Sequence, residues 1–113
     1  MSRQVSGLKA WILQRITGAY IALYVLFLAG VFLFAAPEGD AAWRAWVGST
    51  GVAITGMLFF IAVLLHAWVG VRDIVIDYIH HAGVRLAALV AVGLFLLGSG
   101  IWAAKILLMT VNS

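Results

Sequence analysis

The sequence predicts an all-α integral membrane protein with three transmembrane helices. Three observations predict it. First, 65% of the 113 residues are hydrophobic and only 10% are charged, with a mean hydropathy of +1.14. A soluble domain is roughly 25% charged, and a chain this short has too little interior to hide the apolar excess from water. Second, the charged residues leave three long gaps: Ile16–Pro37, Ala45–Val71 and Leu86–Ala104. Each holds at least 19 residues, close to the roughly 20 that a spanning helix needs. Third, Leu, Ala, Ile, Val and Phe fill the gaps without period-2 alternation. That argues against a barrel and for helices, which satisfy their own backbone in hydrocarbon.

The elements follow in order within one domain, 1–113. The first helix is expected near 15–36, where Pro37 stops it at a Pro-Glu-Gly-Asp turn. Trp43 and Trp46 follow that turn as interfacial aromatics. The second helix is expected near 49–78, longer than one bilayer crossing. A short loop with His80, His81 and Gly83 leads to the third, near 84–109. Small residues such as Gly18, Ala22, Gly56, Gly98 and Gly100 indicate close helix packing.

Charge sets the expected topology. Arg3, Lys9, Arg15, Arg72 and Arg85 fall on one side, and Arg44 and Lys105 on the other. Five basic residues against two predict a cytoplasmic N-terminus and a C-terminus outside. The first apolar run is longer than a signal-peptide core, so no cleaved signal is expected. A net charge of +3 scattered through a greasy chain reads as membrane topology, not nucleic-acid binding. With no cysteine, disulfide, iron–sulfur and thiolate–zinc sites are excluded.

His66 alone in the three gaps can change charge near neutral pH, and an intramembrane ionisable residue is a functional candidate by default. It lies about 9 Å inside the level of Arg72 at ~1.5 Å per residue. Ala62 and Gly70 flank it at i−4 and i+4, leaving room for something flat and bulky. Asp73 and Asp77 continue the face. Two readings stand side by side: an axial ligand to haem or another metal, or a neutral histidine bonded to a neighbouring helix. One histidine is too few for zinc, whereas haem needs one or two axial ligands. Arg15, on the same membrane side, pairs with a haem propionate on the first reading and is a headgroup anchor on the second. Tyr78 beside Asp77 has the chemistry to donate to a quinone carbonyl, or sits as an aromatic-belt residue beside solvated acids.

The run His66-Ala67-Trp68-Val69-Gly70, then Asp77-Tyr78 and Arg85-Leu86, resembles the hydrophobic membrane anchor subunit of bacterial succinate dehydrogenase, respiratory complex II. Leu13-Gln14-Arg15-Ile16-Thr17 is similar to the opening of that family's first helix. The specific motif covers mainly 66–78, and length, span number and topology agree over the chain. The resemblance implies that His66 ligates haem b, its iron completed by a histidine of a companion cytochrome b anchor subunit. The helices would then form a haem-binding bundle that the companion completes. It implies that Arg15 lies close to the propionates, and that Tyr78 and Asp77 serve ubiquinone. It implies flavoprotein and iron–sulfur partner subunits and residence in the bacterial inner membrane.

Two alternatives belong to other classes. A small proton-coupled transporter needs a titratable group at mid-membrane, generally a carboxylate, and all four acids lie outside the gaps. A structural subunit of another respiratory complex would co-purify with different partners.

Overall fold

The computed structural model describes residues 3–112; Met1, Ser2 and Ser113 lie outside the described residues. Four helices follow one another: α1 (Arg3–Phe34), α2 (Asp40–Gly48), α3 (Thr50–Tyr78) and α4 (Ala82–Val111). Three are long and apolar enough to cross a membrane: Gly7–Phe34, Thr50–Tyr78 and Ala82–Val111. At ~1.5 Å per residue each exceeds the ~30 Å hydrocarbon core, so their ends project beyond it.

Two features differ from expectation. α1 begins at Arg3, not near Arg15. The basic residues there mark where apolar sequence ends, but a helix carries charge readily once outside hydrocarbon. The second difference is α2, which the apolar gaps do not reveal. Gly39 precedes it with φ +86°, a left-handed conformation that glycine adopts without steric cost. Asp40 then opens the helix and pairs with Arg44 one turn on, at 2.9 Å. α2 packs back on the bundle. Trp43 lies against Phe32 (ring centroids 5.3 Å apart), and Trp46 against Phe27 (6.4 Å).

α3 is the shared wall. α1 packs on one side of it and α4 on another, and α1 and α4 have no close backbone approach to each other. Both contacts are antiparallel. Between α1 and α3, the Tyr20 hydroxyl donates to the Thr55 carbonyl (2.7 Å), and Tyr24 stacks on Phe59 at 4.8 Å. Between α3 and α4, Gly100 admits Leu64 so closely that a Cβ there would lie 2.6 Å from its Cδ1. The turn between these helices is closed by Arg85. Its guanidinium donates to the carbonyls of Ile79 (3.0 Å) and Ile76 (3.3 Å), acceptors left open at the end of α3. His81 caps α4, its Nδ1 accepting from the Val84 N–H at 3.2 Å.

Four hydroxyl side chains inside the spans bond locally. Thr17, Thr55, Ser99 and Thr110 each donate to the carbonyl one turn back, at 2.7 to 2.9 Å. Little else is enclosed. Ala62, Val69, Val75 and Leu107 are the buried hydrophobic residues, and Thr17 is the buried polar one, among those described. Large side chains such as Leu33, Phe34 and Phe95 are more than 70% exposed. An apolar surface of this extent faces lipid or other protein.

Candidate functional site

The antiparallel register of α1 and α3 brings the first turns of one span beside the last turns of the other. Between them lies a cleft of about 550 Å³, lined among others by Trp11, Gln14, Arg15, His66, Arg72 and Asp73. Lys9, Arg15, Arg72 and Arg85 all belong to this end of the molecule. Glu38, Asp40, Arg44 and Lys105 belong to the other.

His66 sits half-buried in the wall of the cleft. Its ring rests against α1, where the absence of a side chain at Gly18 makes room: a Cβ there would meet His66 Cε1 at 3.3 Å. Nδ1 lies 3.1 Å from the Thr17 hydroxyl. Gly70, one turn on, leaves space for Gln14, whose Nε2 lies 3.6 Å from where its Cβ would be. Gly70 therefore makes room for an α1 side chain, and neither it nor Ala62 is among the residues lining the cleft.

Arg15 is exposed, its guanidinium carbon 5.3 Å from the centroid of the Trp11 ring. Stacking on an indole holds the cation without neutralising it, so it stays available to an anion. Arg72 bonds Asp73 through Nη2 at 3.1 Å and Nε at 3.4 Å, with more than a third of its side chain exposed. Gln14 Oε1 is buried and takes no hydrogen-bond partner from the protein. A donor entering the cleft would satisfy it.

The structure thus brings together His66 and Arg15, and adds Gln14, Arg72 and Asp73 around them. It places Asp77 and Tyr78 apart, on the last turn of α3, where both are exposed; Tyr78 is 79% exposed. Thr17, Gln14 and Arg72 were not singled out by sequence as site residues. Gln14 and Thr17 stand in the Leu13–Thr17 segment beside Arg15, and that proximity is the one signal in the sequence that could have found them.

The donor set suits a flat metal-bearing group with acidic arms. One imidazole faces the cleft, guanidinium groups stand beside it, and the rest of the spans is apolar. Among the described residues no three His, Asp or Glu gather into a multi-ligand metal site. What the fold and the cleft define is a helical membrane protein with one histidine and two arginines lining a cleft between its spans, and with broadly exposed apolar outer faces.

Comparison with known proteins narrows this class. The profile of the succinate dehydrogenase/fumarate reductase transmembrane subunits matches residues 1–107. A succinate dehydrogenase hydrophobic membrane anchor subunit from Coxiella burnetii (strain RSA 493 / Nine Mile phase I) is 31% identical over 101 residues, covering 89% of this chain and 88% of that one. The chain belongs to the family of succinate dehydrogenase/fumarate reductase transmembrane subunits, and it is a multi-pass membrane anchor subunit.

Proposed function

We propose that this chain anchors a succinate:ubiquinone oxidoreductase in the bacterial inner membrane, supplies one axial ligand to haem b and forms part of a quinone site. The observation that carries the reading is the cleft in which His66 and Arg15 meet between α1 and α3. His66 would hold the haem iron on this side, with the second axial histidine on a companion cytochrome b anchor subunit. Arg15 would pair with a propionate, and Arg72 stands close enough to the same cleft to share that charge. Held by these residues, haem b would supply a one-electron carrier suited to electron transfer.

Tyr78 and Asp77 would serve ubiquinone: the phenol donates to a quinone carbonyl and the carboxylate handles its proton. Their exposure at the end of α3 leaves them free to meet a second chain. The flavoprotein and iron–sulfur subunits would dock at this same end, on the cytoplasmic side. The N-terminus would be cytoplasmic and the C-terminus periplasmic, since the basic end is favoured inside.

The test uses the whole complex. Wild type and His66→Leu are purified and their reduced-minus-oxidised spectra compared, with haem counted against flavin. Loss of the b-type band, or its change to that of a single-histidine haem, is expected. An unchanged spectrum removes the ligand assignment.

A further inference from the structure

We propose that Thr17 is a positioning residue for His66: its hydroxyl oxygen accepts the Nδ1 proton and so keeps Nε2 as the one ring nitrogen with a free electron pair. The inference rests on the reading of His66 as a haem ligand. It adds which nitrogen does the ligating and what holds it there.

The argument starts from one hydrogen atom. Thr17 is 5% exposed, and its Oγ1 has three polar neighbours: the Leu13 carbonyl at 2.7 Å, the Gln14 carbonyl at 3.3 Å and His66 Nδ1 at 3.1 Å. A hydroxyl has one proton to give. Two oxygens at 2.7 Å repel unless a proton lies between them, so that proton goes to Leu13. The Thr17 hydroxyl then meets Nδ1 with a lone pair, and the contact is favourable only if Nδ1 carries hydrogen. A neutral imidazole protonated on Nδ1 has its lone pair on Nε2.

The rest of the pocket fixes the ring in space. Gly18 presses no side chain on the imidazole, yet its backbone lies close enough that an added Cβ would touch Cε1 at 3.3 Å. Thr17 and Gly18 are adjacent on α1, so one turn of that helix sets both the tautomer and the ring position. An acceptor on the outer nitrogen of a ligating histidine also makes the imidazole more basic. That favours the ferric over the ferrous form and lowers the midpoint potential.

The closing experiment compares Thr17→Val, Thr17→Ala, Thr17→Ser and His66→Leu in the purified complex. Readouts are haem per flavin, the midpoint potential of the b-type haem, and its low-spin electron paramagnetic resonance spectrum. Valine keeps the shape and removes the acceptor; alanine removes it without bulk; serine restores it. Valine and alanine are expected to raise the potential, shifting the ferric-to-ferrous ratio about threefold to tenfold, ~30–60 mV for one electron. The resonance signal should change with it, and serine should stay near wild type. Valine and alanine variants that match wild type in potential and resonance overturn the proposal. So does a serine variant that shifts as far as valine. If valine and alanine both prevent assembly, Thr17 is a folding residue and the proposal fails. Loss of haem in His66→Leu together with silent Thr17 variants defeats this inference alone. An unchanged haem in His66→Leu defeats the ligand reading beneath it.

Discussion

His66 is held by short contacts from one neighbouring helix, not by enclosure. Thr17 and Gly18 meet its ring, and its other side stays open to the cleft. The histidine was legible in the sequence because it interrupts an apolar gap, and Arg15 because it closes one. Thr17 was not legible as its partner, because a contact across 49 positions depends on the register of two antiparallel helices. Tyr78 carries no such support and stands exposed. A role there predicts a clean separation in Tyr78→Phe. Quinone reduction by succinate should fall about tenfold, the worth of one ~1.4 kcal/mol hydrogen bond. Succinate oxidation by an artificial acceptor should stay unchanged. Parallel steady-state assays with the two acceptors on one preparation check this.

At the scale of elements, the long apolar helices were legible and the ends were not. α3 runs from Thr50 to Tyr78 against an expected 49–78. α1 starts about a dozen residues early because charge marks the edge of hydrocarbon and not the edge of a helix. α2 escaped because it has nine residues with an ion pair on an exposed face, so no apolar run announces it. The Arg85 clasp belongs here too. It joins two helices through the carbonyls of Ile76 and Ile79. Arg85→Ala should destabilise the α3–α4 pair by about 1.5–3 kcal/mol, the range for charge-assisted hydrogen bonds. Arg85→Lys should recover only part of that, since an ammonium lacks the fork that reaches both carbonyls. Thermal denaturation of the complex in detergent, ranked across the three forms, reads it out. Gly100→Val tests the same helix pair further along α4. Its side chain would collide with Leu64, and a loss of about 1–3 kcal/mol is the usual cost of overpacking.

The described molecule is a wall with two flanking columns, and many of its large apolar side chains are exposed. That surface was predictable from composition, but its division between lipid and partner was not, because both are apolar. Orientation is directly testable because the chain has no cysteine of its own. Single cysteines at His80 and Glu38 lie at opposite ends. With an impermeant maleimide on intact spheroplasts, Glu38→Cys should be labelled and His80→Cys protected until the cells are lysed. The reverse pattern would invert the topology argued from the basic residues.

α3 runs unbroken through both His66 and Tyr78. Twelve residues at ~1.5 Å each put these positions about 18 Å apart along the axis. On the proposed reading the helix is a ruler: it sets the spacing between two redox centres, whatever angle the bundle takes in the bilayer. Electron tunnelling decays steeply with distance, so the ruler would also act as a clock. Inserting one alanine between Val71 and Arg72 would lengthen it by only ~1.5 Å but swing Tyr78 about 100° around the axis. Such a variant should keep its haem and lose its quinone, telling length apart from direction.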